Sequence, residues 1–562
     1  MNSTLETQVL IVGAGPVGLT LAMDLAWRGI DVIVVERRRE RAELNVKCSQ
    51  ISARSMEVFR RLGIARTLRS AGLPADYPND VVSCTTVTGL ELSRVLIPSR
   101  AERFGAPKGP DTGWPTPEPP LRINQLYFEP ILFTHATSHP RIVVLNGTEL
   151  QEFVQKADGI VAVAYDLGSG GRVSIACSFL VGCDGARSTV RKAIGAQLVG
   201  VPTLQRVQST YIRAPELLHL LPGKRAWLYF SLNPRRCGST IAVDGRETWL
   251  IHNYLYHGES EFDVVDRDWA IRTILGVGSD FRYDVISQED FVGRRLVADR
   301  FRDRRVFICG DAAHLWIPHA GYGMNAGIAD AANLAWMTAG TLNGWASADI
   351  LDAYEAERQP ITEQASYFMA GIAEKIMKQR REIPAEVEAP GAVGDKVRAR
   401  IGKEAYELDV MQQCCGGLNF GYFYGHSPII AYDGESHPAY TMHDFTSSTV
   451  PGCRAPHLWL SDHRSLYDEL GPDYTLVRLD PRAEVSEIVE AASRRGMPLQ
   501  VVDVETQDAQ TVYSRKLVLI RPDQHVAWRG NVAPATPLDL IDLVRGVRVR
   551  SSDCFKLEVT AT

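Results

Sequence analysis

The sequence predicts an α/β protein, α+β overall, with a parallel sheet, an interleaved antiparallel sheet and a separate C-terminal α/β module. Near the N-terminus, two fully apolar runs, Gln8–Val12 and Asp31–Val35, flank a helical pattern, which is typical of a covered parallel sheet. Between Thr203 and Ile286, alternating runs separated by turn residues indicate antiparallel strands. Beyond about Pro451, short strands alternate with helical segments, and a chain of 562 residues is long enough for several such units.

The composition is typical of a folded globular protein. Hydrophobic residues make up 45% of the chain, and a net charge of −6 with mixed signs favours neither nucleic acid nor a membrane surface. The apolar stretch Val9–Met23 is interrupted by glycine and proline, so we expect no signal peptide and no membrane span. The ten cysteines lack metal-ligand or C-x-x-C spacing, which predicts no metal site and a cytoplasmic setting.

The first chemical motif is Gly13-Ala14-Gly15-Pro16-Val17-Gly18, which follows a strand and opens a helix, with Glu36 at the end of the next strand. Glycines allow the backbone to approach a pyrophosphate at the positive end of a helix, and Glu36 can accept hydrogen bonds from a ribose. A structural turn is the alternative for such a glycine motif alone. Its context therefore predicts dinucleotide binding.

Two later segments each end an apolar strand on an acidic turn. The first is Phe179–Ser188, containing Asp184 and Gly185, and the second is Arg305–His314, containing Asp311. After the second come Pro318, Gly321, Gly323, Met324 and Asn325, which lead into a predicted helix over Asn325–Asn343. Asp311 can accept a hydrogen bond from a ribityl hydroxyl, and the helix start can present amides to a flavin ring.

In this order and spacing, the three segments resemble the single-component FAD-dependent aromatic hydroxylases, the group of para-hydroxybenzoate hydroxylase and phenol hydroxylase. The resemblance covers nearly the whole chain and is nearest to the hydroxybiphenyl and alkylphenol hydroxylases. Further matching residues lie at 52–57, 124–126, 354–360, 451–457 and 521–529.

The resemblance implies three domains. Residues 1–76, 122–200 and 290–382 would form a Rossmann-like FAD-binding domain, and residues 77–121 and 201–289 an antiparallel substrate-binding domain. Residues 383–450 would be a linker and helical connection, and residues 451–562 a thioredoxin-like domain. A homodimer is also expected.

Carried over residue by residue, the resemblance implies a set of FAD-binding residues. They are Gly13, Gly15, Pro16, Val17, Gly18, Glu36, Arg37, Lys47, Arg54, Gln125, Leu150, Asp184, Gly185, Asp311, Pro318, Gly321, Gly323, Met324 and Asn325. Each of Asp184 and Asp311 has a helix cap as its alternative role, and Arg54 has a surface ion pair.

The implied reaction is hydroxylation of a phenolic ring with O₂. NADH or NADPH would bind transiently, because the sequence holds no second G-x-G-x-x-G after a strand. By resemblance, FAD would be reduced and would carry oxygen to the ring as a flavin C4a-hydroperoxide. Catabolism of simple phenols is the preferred setting and polyketide tailoring the alternative, with the proline-rich segment Phe104–Pro120 as a loop over the pocket.

Substrate activation departs from the family pattern. Relatives often place an acid or histidine where this chain has Gln50, and glutamine cannot act as a base. His252 is the predicted base or substrate-orienting group, with an ordinary core or surface histidine as the alternative. Other predicted pocket residues are Gln50, Tyr211, Tyr229, Pro318 and His319, with His257 as a further candidate on the sheet.

Two other functions remain open. A flavin dehydrogenase or oxidase on the same scaffold would form no oxygenated product, and a ligand-binding protein without turnover would consume no NAD(P)H.

Overall fold

The computed structural model describes residues 4–40 and 46–547. Its strands are β1 (Thr4–Val12), β2 (Val32–Glu36), β3 (Gln50–Ile51), β4 (Val81–Cys84), β5 (Glu91–Val95), β6 (Leu121–Arg122), β7 (Ile142–Asn146), β8 (Thr148–Gln155), β9 (Ile160–Asp166), β10 (Arg172–Gly182), β11 (Leu198–Arg213), β12 (Leu228–Ser231), β13 (Gly238–Ala242), β14 (Thr248–Tyr254), β15 (Asp284–Gln288), β16 (Phe291–Ala298), β17 (Arg302–Asp303), β18 (Val306–Ile308), β19 (His314–Trp316), β20 (Tyr474–Arg478), β21 (Leu499–Asp503), β22 (Leu517–Ile520) and β23 (Val526–Gly530).

The α-helices lie between and after these strands. They are α1 (Pro16–Trp27), α2 (Ala53–Arg61), α3 (Ala65–Ser70), α4 (Gln125–Ser138), α5 (Thr189–Ala193), α6 (Leu217–Leu220), α7 (Arg267–Leu275), α8 (Gly323–Leu342), α9 (Asp352–Arg381), α10 (Gly391–Gln413), α11 (Gly416–Phe420), α12 (Leu466–Glu469), α13 (Ser486–Arg494), α14 (Gln507–Val512) and α15 (Pro537–Val544).

The first sheet has the strand order β17-β18-β10-β1-β2-β7, with β8 and β9 attached at β10. The strands from β7 to β18 along this order are parallel, as the fully apolar sequence of β1 and β2 predicts. Because the strands are parallel, β1, β2, β10 and β18 all end at the same edge of the sheet. A ligand site is expected at such an edge.

The second sheet has the order β19-β16-β11-β14-β13-β12-β4-β5, with β15 also paired to β11. Its pairs are antiparallel except for β12 with β4, in agreement with the alternating pattern. The sheet extends beyond the predicted 201–289 on both sides, since β11 begins at Leu198 and β16 pairs with it from Phe291 onwards.

The long helices agree with the sequence pattern in one place and differ in another. Helix α8 spans the predicted Asn325–Asn343 almost completely, and α9 continues the helical region to Arg381. Helix α10, however, begins inside the segment expected to be a linker. Its start at Gly391 has a positive φ of 73°, and the Pro- and Gly-rich composition reflects this helix entry only.

The C-terminal sheet has the order β21-β20-β22-β23. The pair β20–β21 is parallel and is connected through α13, whereas β22 is antiparallel to both β20 and β23. This βαβ unit followed by an antiparallel hairpin and a final helix is the thioredoxin-like arrangement implied by the resemblance.

The proline-rich segment after Phe104 is irregular, as predicted, but it is tied to its surroundings. A buried ion pair joins Arg103 and Asp111 at 2.6 Å. Thr116 donates a hydrogen bond of 2.7 Å to Glu57, and Glu118 pairs with Arg60 and Arg69. The segment is therefore fixed against α2 and α3.

Among the described residues, the helices are all too short or too polar to cross a bilayer. The nine cysteines within the described ranges carry free thiols, and Cys554 lies outside those ranges. In the same part of the chain, His, Cys, Asp and Glu side chains form no group able to hold a metal ion.

Candidate active site

A cavity of about 440 Å³ opens at the edge where β1, β2, β10 and β18 end. Most of the predicted cofactor-binding residues line it, namely Gly13, Gly15, Pro16, Val17, Glu36, Arg37, Lys47, Gln125, Leu150, Asp184, Gly185, Asp311 and Met324. These residues come from separate segments of the sequence, and the fold brings them together around one space.

The glycine turn between β1 and α1 leaves the end of the helix open to the cavity. Gly13 has a φ of 106°, and a Cβ there would collide with the carbonyl of Cys183. Gly18 does not line the cavity, because it packs on the backbone of Gly13. Gly15 has free space around it, and no side chain caps α1. The unpaired amides of the first helical turn therefore suit a pyrophosphate.

Glu36 is held at the end of β2 with its carboxylate at the cavity. One oxygen accepts a hydrogen bond of 2.7 Å from the amide of Ala14, and the other accepts one of 2.8 Å from the amide of Arg38. A carboxylate oxygen has two acceptor positions. Because Oε1 also accepts from the guanidinium Nε of Arg38 at 3.3 Å, Oε2 is the oxygen that retains capacity for a hydroxyl group. This geometry fits a ribose.

Asp311 and Asp184 differ in what their carboxylates contact. Asp184 accepts a hydrogen bond of 2.5 Å from the Ser188 hydroxyl and one of 2.7 Å from the Thr189 amide, so it caps α5 as its alternative role predicted. Asp311 accepts no hydrogen bond from the described residues. Burial raises the pKa of Asp311, while His314 and Lys47 oppose this change. Asp311 is therefore available to a ligand hydroxyl.

A buried acid that the sequence did not single out, Asp330, fixes the turn that carries Asp311. Its carboxylate accepts hydrogen bonds from the Gly310 amide at 3.1 Å, from His314 at 2.8 Å and from Arg358 at 2.9 Å. Burial acts to raise the pKa of Asp330, but His314 and Arg358 hold it below its ordinary value. The sequence offered one indirect sign of this acid, because its partner Arg358 lies in the segment 354–360 that matches the family.

Arg54 does not lie in the cavity, contrary to its predicted contact with FAD. Its guanidinium forms an ion pair of 2.7 Å with Glu57 and donates 3.1 Å to the carbonyl of Asp523, and it also contacts Gln524. The side chain faces the C-terminal domain because the carboxylate of Glu57, one helical turn further on, lies in that direction. The structure therefore agrees better with the alternative role of Arg54 in an ion pair, but this ion pair is mostly buried and does not lie at the surface.

The predicted flavin segment from Pro318 to Asn325 flanks the cavity. Asn325 accepts hydrogen bonds of 2.8 Å from the Ser52 amide and the Ser55 hydroxyl, and its own amide donates 2.8 Å to the carbonyl of Gly321. Four predicted cofactor-binding residues of this segment, Pro318, Gly321, Gly323 and Asn325, are not among the residues that line the cavity. Their contacts tie the start of α8 to β3 and α2.

Gln50 has both ends of its side-chain amide engaged by the protein. The nitrogen donates to the carbonyl of Ala320, and the oxygen accepts from the guanidinium of Arg122. Arg122 also donates 2.9 Å to the carbonyl of Gln413. Gln50 therefore supports the wall of the site and has no acid–base role of its own.

The second sheet presents His252 and Tyr211 on one face and Tyr229 on the other. His252 lies opposite Ser209, and Tyr211 lies opposite Leu250, so these side chains share a face. Tyr229, also predicted for the pocket, lies on the opposite face from His252. Its side chain packs in the core beneath the sheet, where its hydroxyl accepts a hydrogen bond of 2.7 Å from the Ala226 amide.

His252 is packed among aromatic rings. Its ring centroid is 5.7 Å from Phe291 and 6.4 Å from Tyr254, and burial together with Arg380 lowers its pKa to about 4. A neutral imidazole with so low a pKa is a weak base, although it can still orient a substrate by hydrogen bonding. His257 is exposed in the loop after β14.

Beside this sheet, α10 contributes a buried acid, Asp409, that the sequence pattern did not single out. Asp409 accepts a hydrogen bond of 2.8 Å from the Ser83 hydroxyl and one of 3.0 Å from the amide of Gln412. Burial raises its pKa to about 7. Gln412 also lies near His319, whose pKa is lowered by burial and by Arg380 to about 3.

The raised pKa of Asp409 predicts a pH-dependent stability. The folded protein retains a proton that the unfolded chain releases above its ordinary pKa, so this stabilisation is present at acid pH and is lost as the pH rises through about 7. Asp409→Asn cannot ionise and should gain stability relative to the wild type over this range, by at most roughly 4 kcal/mol. Thermal midpoints at about pH 5 and about pH 8 would measure the gain. Parallel pH profiles of variant and wild type would contradict it, and Asp395→Asn on the exposed start of α10 is the control.

Comparison with known proteins identifies the family. The FAD binding domain model matches residues 6–368, and the model of the aromatic-ring hydroxylase C-terminal domain matches residues 448–545. The chain belongs to the FAD-dependent aromatic hydroxylases. This confirms the family expected from the three flavin segments and the C-terminal motif.

Relatives of this hydroxylase match it along most of their length. The FAD-dependent monooxygenase opdD of Penicillium oxalicum is 30% identical, over 85% of this chain and 95% of its own. Tetracenomycin B2 monooxygenase-dioxygenase of Streptomyces olivaceus is also 30% identical, over 96% of this chain and 98% of its own. The structure of the rebeccamycin biosynthetic enzyme RebC with reduced flavin is 33% identical with a TM-score of 0.88, covering 97% of this chain and 100% of RebC.

Proposed function

We propose that this monooxygenase hydroxylates a phenolic aromatic substrate, taking electrons from NADH or NADPH and oxygen from O₂. The observation that carries the proposal is the cavity at the end of the parallel sheet. It combines an open helix end, the Glu36 carboxylate and the free Asp311 carboxylate in one space of about 440 Å³. This arrangement suits a flavin dinucleotide.

The residues present fit FAD in three places. The amides at the start of α1 would hold the pyrophosphate, Glu36 the ribose and Asp311 the ribityl chain. When bound, FAD would supply the redox chemistry that moves electrons from the nicotinamide to oxygen. The protein's own part is to bind, orient and exclude water.

The side chains beside the sheet support orientation of the substrate without deprotonation. Gln50 is engaged by Ala320 and Arg122, and His252 has a pKa of about 4, so neither is a suitable base near neutral pH. His252 and Tyr211 share one sheet face and can present a ring nitrogen and a phenolic hydroxyl to a planar ligand. The substrate would then already be acidic or would need no activation.

For the metabolic setting, we favour biosynthetic tailoring of a natural product over the catabolism of simple phenols. Its support is the naming of two similar proteins as a tetracenomycin B2 monooxygenase-dioxygenase and a rebeccamycin biosynthetic enzyme.

A substrate panel tests the function and its setting together. Oxidation of NADH and NADPH would be followed with single-ring and fused-ring phenols under isotopically labelled O₂, and products would be analysed by mass. We expect one donor to be consumed with a labelled hydroxylated product. Turnover without label would indicate a dehydrogenase or oxidase, and ligand binding without any NAD(P)H consumption would indicate a binding protein.

A further inference from the structure

Arg380, at the end of α9, is a buried cation without a polar partner. Its side chain is part of a residue only 5% exposed, and its guanidinium lies 3.6 Å above the ring centroid of Tyr254. The Nη1 atom is buried and has no hydrogen-bond acceptor. Among the described residues, no carboxylate forms an ion pair with Arg380.

Other buried arginines of this protein are compensated. Six of them pair with carboxylates: Arg103 with Asp111, Arg236 with Glu259, Arg358 with Asp330, Arg454 with Glu57, Arg521 with Glu357 and Arg529 with Asp433. Arg122 and Arg191 donate to neutral acceptors. Since an unpaired buried charge is strongly unfavourable, Arg380 stands out as a group prepared for an anion that the chain itself does not provide.

Arg380 lies beside the proposed substrate site. Tyr254, under its guanidinium, lies two residues after His252 on β14, so the two side chains share a face of the sheet and Arg380 covers that face. His319, from the turn before α8, also faces this region, and its Nε2 is buried without a partner. Arg380 affects the pKa of both histidines, as expected for a charge close to each ring.

Asp409 on the neighbouring helix α10 is close enough for Arg380 to act on its pKa, but the two side chains form no ion pair. Its two oxygens accept from Ser83 and Gln412, and burial raises its pKa to about 7 despite the opposing charge of Arg380. Cys237 is a further titratable group in this neighbourhood, beside Tyr254 and the two histidines. Burial raises the pKa of Cys237, and its thiol donates to the carbonyl of Arg380. The surroundings therefore leave the cation unmatched.

We propose that Arg380, assisted by His319, binds an anionic oxygen group on the aromatic substrate, either a carboxylate or an ionised phenol. The aromatic face of Tyr254 holds the planar guanidinium in place for such a contact. This rests on the proposed function and narrows its substrate class. It also accounts for the lack of a suitable base, because an anionic substrate needs none.

Matched ligand pairs test the proposal with the FAD-loaded protein. Calorimetric titration at about pH 6, below the pKa of Asp409, would compare 2-naphthoate with 2-naphthalenemethanol, and ionised 2,4-dinitrophenol with 2,4-dinitrobenzyl alcohol. We expect the wild type to bind at least one anion about tenfold more tightly than its neutral counterpart. A preference in the first pair identifies a carboxylate, and one in the second identifies a phenolate.

Variants show whether Arg380 causes the preference. In Arg380→Met the affinities for the anion and its neutral counterpart should agree to within about twofold. Arg380→Lys should keep part of the anion preference through its charge. Arg381→Met removes the exposed neighbouring charge and should leave the preference unchanged. If Arg380→Met does not fold, the comparison between the wild type and Arg380→Lys decides.

The outcomes separate this proposal from the proposed function. Lack of anion preference in the wild type, including lack of binding, overturns the subsite, and so does a preference that survives in Arg380→Met or is undiminished in Arg380→Lys. Ligand-stimulated NAD(P)H oxidation with no anion preference would contradict the subsite alone. Anion preference dependent on Arg380, with no turnover of any ligand, would support the subsite and contradict hydroxylation.

Discussion

Replacing Arg521 with Met is expected to lower the free energy of unfolding by about 3–5 kcal/mol, because it leaves buried carboxylates without their cation. Arg521 contacts both oxygens of Glu357, at 2.5 and 2.7 Å, and Asp523 at 2.7 Å, and its side chain is fully buried. Burial alone would raise the pKa of Asp523, but Arg521 and His525 hold it well below its ordinary value. The variant would be compared with the wild type by thermal and denaturant unfolding.

The matched control for this experiment is Arg482→Met. Arg482 also pairs with an aspartate, Asp480 at 3.1 Å, but 90% of its side chain is exposed. Its removal should leave the free energy of unfolding nearly unchanged, as usual for a surface ion pair. Equal effects of the two variants would show that the Arg521 contacts do not support the fold as argued.

Asp311→Ala is expected to weaken FAD binding by about 10- to 100-fold, the value of one hydrogen bond to a charged group. Asp311 opens into the cavity and is free of hydrogen bonds from the described residues, so its loss should leave the surrounding structure intact. The flavin content of purified protein and titration of the flavin-free protein with FAD would measure the change.

Asp158→Ala, in the exposed turn before β9, controls for removal of a charge at a distance from the cavity. Its flavin affinity should equal that of the wild type. Retention of flavin by Asp311→Ala at the wild-type level would remove the assigned role of Asp311 without affecting the family assignment.

The sequence was most informative where a residue type is dictated by the backbone. Gly13 has to be glycine because of its positive φ and its close approach to Cys183. The position of Glu36 at the end of the second strand follows from the length of the βαβ unit. Both could be placed at the cavity edge before the fold was known. The parallel and antiparallel sheets likewise follow from fully apolar and alternating strands.

Contacts between distant segments could not be predicted in this way. Arg54 turns towards the C-terminal domain, where it donates to the backbone carbonyl of Asp523, and this contact leaves no mark in the local pattern. The face that Tyr229 occupies could not be predicted because the parity of one strand relative to another depends on the register between β12 and β13. Asp330 and Asp409 were missed because a buried acid is recognisable only by its partners.

The contacts of Arg521 have a consequence for how the chain is made. The buried acid Glu357 lies on α9 and accepts a hydrogen bond from Asn333 on α8. The cation that neutralises Glu357 is Arg521, which is synthesised much later. A nascent chain therefore carries an uncompensated acid on α9 until the ribosome has completed most of the C-terminal domain. We expect stable closure of the flavin-binding half to wait for the end of translation, so that C-terminally truncated products would be recognised by chaperones and proteases.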